Sequence, residues 1–267
     1  MKQHLATALL LAAALTLCAA EPLVFEFRSL ADWARGTKNV ALLPDGTWEI
    51  TGGSAFEAAK SFKVDPEKPV TVSFEIRRLP GTPNIMAYVG FWTMDADRVR
   101  IQPYHMRCEY NGDTEVLADA PVGATTLRVR KPRRFVKSTW LYLAAGDIAG
   151  CKVPQFDLIQ LKPRTAEVKD QEIVLTLLKP LEKAIPAGAK FHFHGDGPGM
   201  YVACDEKNPS EEWEKITCVV KGMQKKFPTP RVKTWWHGTV YAKLRVIIAQ
   251  GKRDKVQIRN IRVEVAR

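Results

Sequence analysis

The chain is expected to fold as an all-β protein: an antiparallel β-sandwich interrupted by a small β-rich insert. Three observations lead there. Pro69–Arg77 (PVTVSFEIR) alternates apolar and polar residues, which puts Val70, Val72, Phe74 and Ile76 on one face of a strand. Strand-length apolar runs recur along the 267 residues, separated by Asp45-Gly46, Gly52-Gly53, Pro80-Gly81, Asn111-Gly112 and Gly251. Helical periodicity is nearly absent, and only Ser29–Arg35 and Leu177–Lys183 suggest brief helices.

The N-terminus reads as a secretory leader. Lys2 is followed by an apolar run from Leu5 to Leu17, then Cys18-Ala19-Ala20 before Glu21. The run is too short to span a bilayer, and small residues stand at the cleavage point. Residues 1–20 are therefore expected to be a signal peptide, with the mature chain beginning at Glu21 and working as a secreted, periplasmic or cell-surface protein. Leu17, a large residue, stands before Cys18 and disfavours a lipid-attachment site there. No second apolar run approaches membrane-spanning length, so no membrane span is expected after leader removal. The net charge is +11, and the leader carries only Lys2, which leaves the mature chain at about +10. A basic exported protein meets acidic glycans, anionic surfaces or extracellular nucleic acid, although charge also serves solubility alone.

After Pro69–Arg77, the mostly apolar run Ile85–Trp92 suits a strand buried on both faces. Trp213–Val220 and Thr239–Ala249 supply two more strands. Val256–Val265 alternates, slips at Arg259-Asn260, and alternates again, which predicts a bulge. Residues 115–189 have a different texture: short apolar runs such as Trp140-Leu141-Tyr142-Leu143 and Ile173–Leu178, with their own Pro/Gly turns. They are expected to form a separate small β unit, with 21–114 and 190–267 joining into one discontinuous sandwich.

The flanking segments resemble the galactose-binding-like jelly rolls that occur as carbohydrate-binding modules of secreted bacterial proteins. The likeness rests on Phe25, Leu30 and Trp33, on Trp48-Glu49-Ile50, and on Ala58–Val64 leading into Pro69–Arg77. It continues in Trp213–Ile216, in Trp235–Leu244 (WWHGTVYAKL) and in the closing Val256–Val263. The insert resembles a small β unit of phage-tail and surface proteins. The resemblance implies a jelly-roll sandwich that binds carbohydrate without catalysis. In such modules an acidic residue precedes the position of Asn260; here it is Arg259, which weakens the case for a structural calcium. No other cofactor is expected.

Motifs for chemistry are few. The chain has no G-x-S-x-G elbow, no H-E-x-x-H, no Walker loop and no dinucleotide fingerprint. A glycoside hydrolase or polysaccharide lyase on a sandwich would need paired carboxylates. The nearest are Asp95/Asp97 and Glu211-Glu212-Trp213-Glu214, both in polar, turn-like contexts. His192-Phe193-His194 places two imidazoles on one side of a strand, and Asp196 could add an oxygen. Without a clear further ligand they read as surface residues, and no metal is expected. Cys108, Cys151, Cys204 and Cys218 allow two disulfides in any of three pairings, or buried thiols. Lys131–Lys137 is the densest basic run and could meet an acidic polysaccharide. It lacks the interleaved aromatics of a nucleic-acid site, and no nucleic acid is expected as partner.

Trp235 and Trp236 are the favoured ligand residues. Adjacent residues of a strand point to opposite faces, so both indoles are not expected in one core. An indole face suits the apolar face of a sugar ring. The expected glycan surface comprises Trp235, Trp236 and His237, with Tyr201 and Trp92 nearby. The leading function is noncatalytic carbohydrate or cell-surface glycan recognition. The alternatives are a sugar-active enzyme and a structural envelope protein with no small ligand.

Overall fold

A computed structural model describes residues 21–83, 85–133, 135, 141–195, 201–224, 233–249 and 255–267. The expected leader, Asp196, Arg134 and Lys137 lie outside them. The protein is all-β, with antiparallel sheets packed as a sandwich. No helix among the described residues is long and apolar enough to cross a membrane.

The first part of the chain supplies nine strands: β1 (Leu23–Glu26), β2 (Trp33–Arg35), β3 (Val40–Leu42), β4 (Trp48–Thr51), β5 (Ser54–Ala58), β6 (Phe62–Lys63), β7 (Val70–Arg78), β8 (Met86–Met94) and β9 (Arg100–Ile101). A single helical turn, α1 (Pro103–Met106), follows. Then come β10 (Cys108–Glu115), β11 (Thr126–Arg130), β12 (Leu141–Ala145), β13 (Ile159–Gln160), β14 (Glu167–Lys169), β15 (Glu172–Thr176) and β16 (Lys190–Gly195). The chain closes with β17 (Val202–Lys207), β18 (Glu214–Val220), β19 (Tyr241–Ala249) and β20 (Lys255–Val265).

Two large sheets form the sandwich. Sheet A has the order β18-β7-β20-β4-β3, with β1 on β20. Sheet B has the order β17-β8-β19-β5-β2, with β6 on β19 and β9 on β8. The alternation read in Pro69–Arg77 is real: Val70, Val72, Phe74 and Ile76 are buried and their neighbours less so. Each such side chain contributes roughly 1.5–3 kcal/mol by leaving water. The slip in β20 is also present, as a register shift between Arg259 and Arg262 with Asn260 at φ 54°. Cys204 of β17 and Cys218 of β18 form a disulfide that joins the edges of the two sheets.

The insert has a second core. Val116, Leu127, Val129, Leu143, Leu161, Ile173, Leu175, Phe191 and Phe193 belong to it, while the sandwich core draws on residues 27–106 and 202–265. Its two sheets have the orders β10-β16-β12-β13 and β11-β15-β14. Sheet membership groups β10 and β16 with the insert's strands, so the chain passes between the two cores after β9 and after β16.

Of the two brief helices expected, Ser29–Arg35 contains one, the 3-10 turn Leu30–Asp32, which runs directly into β2. Leu177–Lys183 is not helical; it bends over the insert core, with the Leu177 N–H on the Thr125 carbonyl and the Leu181 N–H on the Ala124 carbonyl.

Candidate functional site

The tryptophan pair is a core feature. Trp235 is 0% and Trp236 2% exposed, and the Trp235 ring lies 5.1 Å from Phe91 and 6.3 Å from Phe62. The opposite-faces argument fails because this segment is not a strand. Trp235 makes one isolated bridge to Met223, and a turn then carries Trp236 back toward the interior through Thr239 N–H on the Trp236 carbonyl. Neither indole offers a face to solvent, so the expected stacking surface is not formed. His237 is exposed at the tip of that turn and is separated from the other expected ligand residues by it.

Trp92 and Tyr201 do come together, on the outer face of sheet B. Gly90 makes room: a Cβ there would stand 2.5 Å from the Tyr201 ring. Trp92 is two residues further along β8, on the same face by strand alternation. Arg245 pairs in register with Gly90 and lays its guanidinium 4.0 Å from the Trp92 ring centre. Arg100, from β9, covers the same ring. Neither arginine was singled out in the sequence. Glu57 stands opposite Arg245 in the β5–β19 register and is also paired with Lys243. Arg100 Nε and Nη2, Arg245 Nε and Trp92 Nε1 are buried with no hydrogen-bond partner among the described residues. Burial pushes Arg100 down to about 10 and also lowers Arg245; attraction to Glu57 opposes both shifts, and repulsion from Arg245 adds to that of Arg100.

The acidic candidates are occupied by framework contacts. Asp95 Oδ1 accepts the backbone N–H groups of Asp97 and Val99 and caps a turn. Glu211 faces Arg78, and Glu214 is paired with Lys207 at 2.6 Å. At the closing bulge, Arg259 and Asn260 both bond the Glu75 carboxylate, so a guanidinium supplies the positive charge at the turn where calcium was considered. The Lys131 and Arg133 side chains are exposed.

The histidine pair is not on the surface. His192 is 2% and His194 0% exposed. Phe191 and Phe193 point from β16 into the insert core, so the alternate residues His192 and His194 share the other face. Cys108 stands opposite His194 in the β10–β16 register. Cys151 follows the 3-10 turn Ile148–Gly150, which Asp113 anchors by accepting the Ile148 N–H at 2.7 Å. The four donor atoms lie within 4.8 Å of one another. His192 Nε2 is 3.0 Å from His194 Nε2, and His194 Nε2 is 3.5 Å from Cys108 Sγ and 3.8 Å from Cys151 Sγ.

The opposite ring nitrogens fix the tautomers. His192 Nδ1 donates to the Gly146 carbonyl at 2.8 Å, and His194 Nδ1 donates to the Tyr104 carbonyl at 2.6 Å. A carbonyl only accepts, so each neutral ring carries its proton on Nδ1 and its lone pair on Nε2. The Cys108 contact, followed by those from His192 and His194, holds the Cys151 thiol far below its usual range against the opposing effect of burial. Burial would lower His192, but Cys151 and the Gly146 carbonyl outweigh it and the net shift is upward. These four side chains could hold a metal ion. The sequence offered the His-x-His half; the cysteines lie too far away in the chain to have been joined to it.

No protein-family model and no curated protein matches the chain, so the reading of its function rests on these two groups of side chains.

Proposed function

We propose that this chain is an exported, noncatalytic β-sandwich protein that recognises an acidic polysaccharide, with the outer face of sheet B as its contact surface. One observation carries the reading: two half-buried guanidiniums, Arg100 and Arg245, lie on Trp92 with N–H groups that have no acceptor among the described residues. Buried donors left unpaired cost about 1–3 kcal/mol each, and buried like charges repel. Within the framework, the cation–π contacts with Trp92 offset only part of these costs. A carboxylate or sulfate group would accept the spare N–H groups and cancel the excess charge. Trp92 and Tyr201 are 4% and 9% exposed, so they back the guanidiniums rather than stack on a sugar ring themselves. The likeness to galactose-binding-like jelly rolls and the leader-like N-terminus favour the same reading. This surface replaces the one expected at Trp235, Trp236 and His237.

The test is titration of the mature chain with sulfated, uronic and neutral oligosaccharides at low and high salt. Affinity for the acidic ligands should be roughly micromolar to millimolar and should weaken with salt. Arg245→Gln should reduce it at least tenfold while Arg164→Gln, in the insert, leaves it unchanged. Equal binding of neutral and acidic ligands, or an effect of both substitutions alike, would overturn the proposal.

A further inference from the structure

We propose that Cys108, Cys151, His192 and His194 bind one Zn2+ ion in a closed tetrahedral site that fastens the insert to the sandwich. Four observations carry this.

The donor set comes first. Two thiols and two imidazoles match a structural zinc site, and soft sulfur with nitrogen selects against calcium or magnesium. Geometry agrees. Bonds of about 2.0–2.1 Å to nitrogen and about 2.3 Å to sulfur give tetrahedron edges of about 3.3 Å between nitrogens and about 3.6 Å between nitrogen and sulfur. The corresponding separations here are 3.0 Å, 3.5 Å and 3.8 Å.

The third observation is the direction of the lone pairs. Both Nδ1–H groups are committed to backbone carbonyls, so two Nε2 lone pairs face each other at 3.0 Å. Two acceptors at that distance repel unless a proton or a cation lies between them. A carbonyl holding the far ring nitrogen is also what orients a metal-bound histidine. The fourth is closure. Cys108, His192 and His194 are buried, and four protein donors leave no coordination position for a substrate. Cys151 is half-buried, so closure rests on the four donors filling a tetrahedron, which distinguishes the site from a catalytic metal centre with its open position.

The ligands come from the places where the chain passes between the two units. Cys108 directly follows α1, whose Met106 lies in the sandwich core while its Tyr104 carbonyl holds His194. Cys151 begins a strap that reaches the sandwich. Gln155 N–H donates to the His105 carbonyl at 2.7 Å, and Pro154 packs so closely on Gly238 that a Cβ there would be 2.7 Å from its ring. Zinc would replace the thiol protons and tie strap, exit strand and return strand to one point.

The test uses the whole mature chain. Purified protein should carry one equivalent of zinc by elemental analysis. Cobalt exchanged into the site should give the visible bands of a tetrahedral ion and a thiolate-to-cobalt absorption in the near ultraviolet. Chelation should lower the melting temperature and open the junctions after β9 and after β16 to protease. Cys151→Ser should cut metal content at least tenfold, while the double variant Cys204→Ala/Cys218→Ala keeps the full equivalent. Should Cys151→Ser fail to fold, the cobalt spectrum of the wild type decides. Less than a tenth of an equivalent after zinc dialysis with no cobalt bands would overturn the proposal. So would a Cys108–Cys151 disulfide in the exported protein, the outcome an oxidising compartment would otherwise favour.

Discussion

Replacing Trp235 by alanine separates a core residue from a binding residue. Its indole is fully buried between the sheets, against Phe62 and Phe91. Truncating a buried tryptophan costs about 3–5 kcal/mol, since the cavity collapses only in part. A chain of this size loses roughly 2–4 °C of melting temperature per kcal/mol, so Trp235→Ala should melt roughly 6–20 °C lower. Among the described residues Trp235 Nε1 has no hydrogen-bond partner, so Trp235→Phe forfeits only size and should cost roughly 1–2 kcal/mol. Circular dichroism melts give the stabilities. Titration with an acidic oligosaccharide well below the lowered melting point gives the affinity, expected within twofold of wild type. A Trp235→Ala protein that melts normally but no longer binds would refute the reasoning.

Other outcomes follow from the same framework. Removing the inter-sheet disulfide with Cys204→Ala/Cys218→Ala should cost about 3 kcal/mol, because the closed loop spans a separation of 14 residues; denaturant unfolding measures this, and a loss under 1 kcal/mol would contradict it. Gly90→Ala would force a Cβ to 2.2 Å from the Val202 carbonyl and against the Tyr201 ring, so it should destabilise by about 1–3 kcal/mol and alter the aromatic circular dichroism. The Glu75 carboxylate is held below its ordinary value of 4.5 by Asn260 and then Arg259. Its contribution is therefore complete above that value and fades as pH falls below it. Wild type and Glu75→Gln should differ in melting temperature at neutral pH and converge in acid; a constant gap would contradict the sign.

The strands were legible because their signal is local. Val70–Ile76 and Val256–Val265 declare their faces within a few residues, and the Arg259-Asn260 slip marks its bulge directly. The tryptophan pair misled because the face rule holds only inside a strand, and the turn at Trp236–Thr239 breaks it. The arginine–tryptophan face was half visible: Trp92 and Tyr201 were named, but Arg100 and Arg245 join them only through strand pairing. The metal-like cluster was least legible. His192 and His194 are neighbours in sequence, whereas Cys108 is 86 residues and Cys151 43 residues from His194. Only the β10–β16 register and the Asp113-anchored turn bring them together.

The position of the insert has a consequence for how the molecule assembles. β8 and β17 are direct neighbours in sheet B, yet the whole insert lies between them in the chain. In an unfolded chain that contact closes a very long loop, although each doubling of loop length adds only about 0.6 kcal/mol. Once the insert folds, the pairing of Cys108 with His194 brings its own two ends side by side. The insert behaves as an oversized turn, and completion of the sheet edge at β17 waits for it to form. Late addition of that edge strand should set the slow step of refolding, with the rest of the sandwich already in place.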